Sequence, residues 1–435
     1  MREVGLRPLL AASGLALACA IAAPTDRALA AGPDPDGTAF APDVPARVDV
    51  SRSPEATGAG TLSRGRLRNK LGGLSRQAGS GTGVWVAELG GDGTLFSSRS
   101  GRARILASNE KLFTTATALD RLGAKSRIET AVYAKGAIKG STLRGPLFLV
   151  GGGDPALGNG GVRALARQVR GAGIRRVEGG IRADDSVFDR RRGVPDSNWG
   201  YSPYIGALLS GLSFKGTGRR GDPAKAAAGA LRKWLRRSGV GVKAGTHRGT
   251  APRSVLRRDP VAKHNSATIA SLIAATNKPS NNFYAEMLLK RIWAKPGRRG
   301  TTKGGAKAVR RFARRWGAKV RAVDGSGLTR GNRASPQSVG HLLSAMQRHD
   351  DDGAFYDSLP VAGQEGTLDG RMEGTRAAGR CRAKTGTLTG VSALSGYCNT
   401  KGGRVAFSIL MNGIDVNRAH LLQDRMAVAI ARYGG

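Results

Sequence analysis

Residues 382–392 read Arg-Ala-Lys-Thr-Gly-Thr-Leu-Thr-Gly-Val-Ser, and this stretch decides the fold. Arg382 to Thr387 and Val391 to Cys398 are two β-like runs, and Thr389-Gly390 between them is a turn dipeptide. A two-residue loop at 389–390 makes Leu388 the partner of Val391, and equal steps outward bring Cys381 opposite Cys398. Directly opposed residues hold their Cβ atoms about 4.5–5.5 Å apart, close to the distance a disulfide needs. The hairpin therefore predicts a bridge that pins the strand carrying Lys384, Thr385, Gly386 and Thr387.

Working outward, Arg404 to Met411 alternates as a further strand, and Arg418 to Tyr433 reads as a closing helix. Near the other end, Leu62, Leu67, Leu71 and Leu74 have helical spacing. Gly83 to Leu89 then reads as a strand, the 90–93 Gly-Gly-Asp-Gly as a turn and Thr94 to Ser98 as its hairpin partner. Ile105 to Gly123 is helical in pattern: Leu112, Ala116 and Leu119 share a face, and Gly123 is a stop. From 125 to 255 short β-like runs such as Gly145 to Val150 alternate with glycines and basic turns, the mark of an inserted region. Helical pattern returns at Ser266 to Asn277 and at Asn282 to Ala294. Strands at both ends with helices between predict an α/β fold whose mainly antiparallel sheet is assembled from both halves of the chain.

The 435 residues carry a formal net charge of +39, with 40% hydrophobic and 5% aromatic residues and 65 glycines. Such charge invites a nucleic-acid partner, but the basic residues are scattered and no recognition motif accompanies them. The reading is no nucleic acid, and a basic surface suited to an anionic wall. Arg2 and Arg7, the apolar run Leu9 to Ala23, and Ala28-Leu29-Ala30 form a signal peptide over 1–30. Residues 31–60, rich in Pro, Asp, Ala and Gly, read as a disordered leader. Cleavage after Ala30 leaves two cysteines in an oxidising compartment, whereas lipidation at Cys19 is the alternative.

Three short motifs follow one another: Ser108-Asn109-Glu110-Lys111, Ser280-Asn281-Asn282 and Lys384-Thr385-Gly386. Residues three apart on a helix share a face, so Lys111 can reach the Ser108 hydroxyl. A serine is a poor nucleophile until a base takes its proton, and a lysine is a base only when neutral, through burial or a neighbouring cation such as Lys384. A helix start also offers free N–H groups to a developing oxyanion. Each motif alone has a bland reading as surface helix, turn or edge strand; their order and their placement on helix, loop and strand carry the signal. A strand with a cationic head suits a peptide ending in a free carboxylate. There is no Gly-x-Ser-x-Gly elbow, the glycines at 151–153 lack a following Gly-Lys-Ser/Thr, and the five histidines show no metal spacing. No cofactor and no metal are expected.

The similarity extends to longer blocks: 106–112 (Leu-Ala-Ser-Asn-Glu-Lys-Leu), 150–155 (Val-Gly-Gly-Gly-Asp-Pro), 278–286 (Lys-Pro-Ser-Asn-Asn-Phe-Tyr-Ala-Glu), 324–330 (Asp-Gly-Ser-Gly-Leu-Thr-Arg) and 382–392. Over roughly residues 60–435 the chain resembles the low-molecular-mass class C penicillin-binding proteins, the D-alanyl-D-alanine carboxypeptidase/endopeptidase family. The resemblance implies a penicillin-recognising serine transpeptidase/β-lactamase-like domain, split into 61–124 and 256–435 around a smaller β-rich insert at 125–255. It makes Ser108 the nucleophile, Lys111 its base, Ser280 a proton relay, and Asn282 the holder of Lys111 and the substrate amide. Lys384 and Thr385 would bind the substrate carboxylate, Lys384 as a cation, and the N–H groups of Ser108 and Thr387 would form the oxyanion hole. Asp196, Tyr201 and Arg330 would grip the free amino end of a stem peptide. Expected partners are peptidoglycan stem peptides, with β-lactams as inhibitors; the oligomeric state stays open. Two alternatives remain: a β-lactamase, or a non-catalytic wall-binding protein.

Overall fold

In the computed structural model, residues 60–90, 93–216, 221–349 and 353–435 are described, and strands from the two halves of the chain meet in one sheet. The expected signal peptide and all but the last residue of the leader lie outside the described residues. Helix α1 (Arg64–Gln77) precedes the hairpin β1 (Thr82–Glu88) and β2 (Thr94–Ser98). Strands β3 (Cys381–Leu388), β4 (Val391–Thr400) and β5 (Gly403–Asn412) complete the antiparallel order β3-β4-β5-β1-β2.

Side chains alternate across a strand, and both faces of this sheet are covered, so β1 reads as a nearly continuous apolar run. Val84, Val86, Phe407 and Ile409 pack with the buried leucines of α1 and with Met426 and Ile430 of the closing helix, Val416–Ala431. Trp85, Ala87, Ala406 and Leu410 face the other way, toward Leu112, Phe113 and Leu119 of α2 (Glu110–Leu122), and Leu272 and Ile273 of α3 (Ile269–Asn277). Helix α4 (Asn282–Arg291) and helix α5 (Thr302–Arg315) join that second layer through Leu288, Leu289, Val309 and Phe312.

Between α2 and α3 the chain builds separate sheets. The larger one runs in the order 246–248, 181–184, 147–151, 127–134, 262–268, and helices 159–171 and 223–237 lay Val162, Leu165, Leu231 and Leu235 on it. Several expected boundaries shift, among them the helix expected from Ile105, which begins only at Glu110 because Ile105 lies in a short strand paired with Arg333. Residues 266–268 belong to a strand, because Lys263, His264 and Asn265 pair with 129–131, and helix α3 begins only at Ile269, capped by the Thr268 hydroxyl. The closing helix likewise begins at Val416, two residues before its expected start, because the Asp415 carboxylate caps it.

The expected hairpin register is present, Leu388 opposite Val391 and Cys381 opposite Cys398, and the two cysteines are bridged with their Cα atoms 4.0 Å apart. A chain beginning at Ala31 will therefore show no free thiol when titrated in denaturant without reductant, and two free thiols would refute the bridge. The 17-residue separation corresponds to about 3 kcal/mol of loop-closure stabilisation in the chain-entropy treatment, so replacing both cysteines by serine should lower the unfolding free energy by that order. Among the described residues no helix is long and apolar enough to cross a membrane.

Candidate active site

Ser108 lies half-buried in a tight turn, Ala107–Asn109, that feeds directly into α2. The residue before it, Ala107, has φ +46°, a left-handed conformation that costs a side-chain-bearing residue about 1–3 kcal/mol and persists only when its surroundings enforce it. Two glycines do the enforcing. A Cβ on Gly327 would stand 1.8 Å from the Ala107 carbonyl oxygen, and a Cβ on Gly386 would stand 3.0 Å from the Ser108 nitrogen. Only glycine lets loop 324–329 and strand β3 close on the serine turn from both sides. Asn109 Nδ2 donates to the Lys384 carbonyl at 2.9 Å and locks the helix start to the strand.

One helical turn on, Lys111 is fully buried, with Nζ 2.9 Å from Ser108 Oγ, 2.6 Å from Asn282 Oδ1 and 2.7 Å from the Ser326 carbonyl oxygen. The first and second motifs thus meet through Lys111. Asn282 donates its other end, Nδ2, to the Tyr204 carbonyl at 2.7 Å, tying the inserted region to the cleft. Burial pushes the Lys111 amine down to about 7, against the pull of the Asp324, Glu286 and Glu110 carboxyls. Near pH 7 about half of such an amine is neutral, and that fraction can accept a proton from the hydroxyl beside it.

Lys384 departs from expectation. It is fully buried, its Nζ reaches only the Thr385 carbonyl, at 3.1 Å, among the described residues, and burial together with the Lys111 charge holds it well below the ordinary lysine range. The cation expected there forms readily only against an anion. Thr385 bonds to Thr367 through their hydroxyls at 2.7 Å, while Thr387 is exposed on the same strand. Arg330 reaches the hairpin turn, donating to the Thr389 carbonyl at 3.1 Å.

Other expected residues are not drawn in. Ser280 sits in the turn before α4 with φ +60°, and among the described residues none of the hydrogen bonds of Lys111 goes to it. Asp196 is exposed in a short turn, and neither it nor Tyr201 bonds to the serine–lysine pair among the described residues. The residue of that segment that touches the site is Tyr204, 67% exposed, whose signal is weak because a backbone carbonyl makes the contact. Sequence reasoning also assigned no role to Ser326 or to Glu286. The latter had a readable sign, since Asn282, Glu286 and Lys290 recur every fourth residue on a helix whose other positions are largely apolar.

Against known proteins, residues 70–209 and 205–433 match the D-Ala-D-Ala carboxypeptidase 3 (S13) family. The chain is similar to a D-alanyl-D-alanine carboxypeptidase from Actinomadura sp. (strain R39), at 31% identity over 82% of each chain. It is also similar to carboxypeptidase DacB from Mycolicibacterium smegmatis, at 30% identity over 70% of this chain and 71% of that one. In fold it resembles penicillin binding protein 4 (dacB) from Haemophilus influenzae, with TM-score 0.69 and 21% identity over 82% of this chain and 97% of that one. A further likeness is to Bd3459, a peptidoglycan endopeptidase from Bdellovibrio bacteriovorus, with TM-score 0.52 and 18% identity over 77% of this chain and 86% of that one. A serine, a buried lysine and a Lys-Thr-Gly strand closed around one turn thus occur in a chain that matches this family along most of its length, and the chain belongs to the S13 family of D-Ala-D-Ala carboxypeptidases.

Proposed function

We propose that this chain removes the terminal D-alanine from cell-wall stem peptides through an acyl-enzyme on Ser108. The observation that carries the reading is the 2.9 Å approach of a fully buried Lys111 amine to the Ser108 hydroxyl. As Ser108 Oγ bonds to the scissile carbonyl carbon, its proton passes to Lys111 Nζ. The oxyanion is received by the N–H groups of Ser108 and Thr387. Ser280 relays a proton to the leaving amine, D-alanine departs, and water then hydrolyses the ester. Asn282 keeps Lys111 in line and faces the substrate amide.

The substrate's terminal carboxylate lies against Lys384 and Thr385. Its negative charge restores the proton that burial disfavours on Lys384, so binding and charging of that lysine go together. Arg330, with Asp196 and Tyr201, faces the free amino end of the stem peptide. Penicillin enters the same path and stops at the ester. The signal pattern at 1–30 and the disulfide together support action outside the cytoplasm.

Incubation with a pentapeptide bearing diaminopimelate and ending in D-Ala-D-Ala should release free D-alanine, with weaker cleavage of cross-linked dimers. Amidating the terminal carboxylate removes a charge-assisted contact of about 1.5–3 kcal/mol, so kcat/KM should fall roughly 10- to 150-fold. Rapid turnover of penicillin without D-alanine release would mark a β-lactamase instead, and absence of both reactions a wall-binding protein.

A further inference from the structure

A cavity of about 470 Å³ lies between the inserted region and α5, and none of these steps uses it. Helix α5 supplies Lys303, Ala306 and Arg310, which stand at i, i+3 and i+7 and so share one face. Arg321 and Ala322, just past the helix, form the next wall, and Arg191 and Trp199 come from the inserted region. Four cations thus meet at one hollow, and among the described residues no acidic side chain lines it. None of the three motifs lines it either, nor do Asp196, Tyr201 and Arg330, so it is separate from the serine cleft and from the expected grip on the stem peptide.

Like charges gathered around one hollow repel one another unless an anion stands among them. Among the described residues none of the four forms an ion pair. Arg310 acts through space on Glu110, but that carboxyl is fully buried and does not reach the cavity wall.

Two of the cations are held in place. Arg310 donates from Nη1 to the Ala322 carbonyl at 2.7 Å, and the Arg191 guanidinium carbon lies 4.1 Å from the centre of the Trp199 ring. The Arg191 backbone is clamped in turn, its carbonyl accepting at 2.7 Å from Lys290, a fully buried lysine paired with Asp189 at 2.5 Å. Trp199 has φ +64° directly after Asn198 at +48°. Two successive left-handed residues with side chains persist only where their surroundings enforce them. Here the Trp199 N–H donates to the Val194 carbonyl and its carbonyl accepts from the Arg192 N–H, both at 3.0 Å.

A guanidinium lying over an aromatic ring keeps its N–H groups at its edge, where they match two oxygens of an oxyanion. Ala306, Ala322 and the indole suit an uncharged body beside that oxyanion. Lys303 and Arg321 are exposed and carry the charge that draws an anion in. The number of cations decides between oxyanions: a carboxylate brings one negative charge, whereas a phosphate monoester brings nearly two and three acceptor oxygens.

We propose that this cavity binds a phosphate monoester of a sugar or polyol, with Arg191, Lys303, Arg310 and Arg321 around the phosphate and Trp199 against the carbon body. Binding is non-covalent and does not depend on the reaction at Ser108.

The test is calorimetric titration of the protein with glucose 6-phosphate, and with inorganic phosphate, glucuronate and glucose beside it. Glucose 6-phosphate should bind at one site per chain, roughly tenfold more tightly than any of the other three. Lys303→Ala/Arg321→Ala should weaken that binding by about tenfold or more. Lys225→Ala/Lys233→Ala, which removes the same charge from the exposed face of helix 223–237, should leave it unchanged. Ser108→Ala should also bind as the parent does, so failure of this site and failure of the Ser108 reading are told apart. No saturable binding of glucose 6-phosphate overturns the proposal, as does equal weakening by the two double variants. Inorganic phosphate bound as tightly as the ester removes the part given to Trp199, and glucuronate bound as tightly removes the preference for phosphate; either result overturns the proposal. If Lys303→Ala/Arg321→Ala melts early, the two substitutions are tested singly. A loss of about threefold in each then supports the site, and no loss in either overturns it.

Discussion

Ser108→Ala protein, incubated with excess penicillin, gains no mass, and it releases no D-alanine from stem peptides. The substitution removes one half-buried oxygen from a turn whose shape is fixed by its neighbours, so the protein folds and melts within about 1 kcal/mol of the parent. What it loses is the oxygen proposed to carry the acyl group, and among the described residues no other serine hydroxyl bonds to Lys111. Of the two serines in the first two motifs, only Ser108 has its hydroxyl within 3 Å of the buried amine. An adduct that persists in the variant, or that maps to Ser280 in the parent, would reverse the assignment.

Lys111→Arg is the second large effect. Lys111 is fully buried among three partners at 2.6–2.9 Å, and the proposed mechanism requires it to take and return a proton. A guanidinium stays protonated at every working pH, so charge is kept and basicity is lost. General-base assistance contributes roughly 10²–10⁴-fold, and acylation by penicillin should fall by that range. In the parent the same rate should climb with pH and level off above about 7, where burial has left the amine neutral. Lys384→Arg, which keeps a cation for the substrate carboxylate, should retain part of the activity. Stopped-flow acylation rates of both variants decide the matter: equal loss in each would contradict the separation of base from carboxylate grip.

Much of this arrangement was legible because it obeys short-range rules. The hairpin around Thr389-Gly390 fixes its own register, and from that the disulfide partner follows by counting. Helical spacing alone brings Lys111 to Ser108, and the family resemblance supplied Asn282 as its second partner. What stayed hidden depends on burial or on backbone atoms. No pattern in the sequence says that Lys384 is sealed from water, so its expected resting charge was overstated. Tyr204 and Ser326 enter the site through carbonyl oxygens, which every residue owns and no residue type advertises. The boundary at Thr268 moved because polar residues 263–265 found a strand partner more than a hundred residues upstream.

The pairing of β1 with β5, residues 82–88 against 405–411, has a consequence in time. Ser108 and Lys111 leave the ribosome early, but the groups that hold their turn do not. The Lys384 carbonyl, bonded by Asn109, and the Asn412 side chain, which accepts from the Ile105 N–H at 2.9 Å, are made 275 and 307 residues after their partners. Contacts so distant along the chain close last, after the entropy of the intervening loop has been met. A nascent or still-extended chain therefore carries Ser108 and Lys111 without the scaffold that holds their turn. For a D-Ala-D-Ala carboxypeptidase, this dependence on β3 and β5 leaves the site unformed until both strands have been made and have folded.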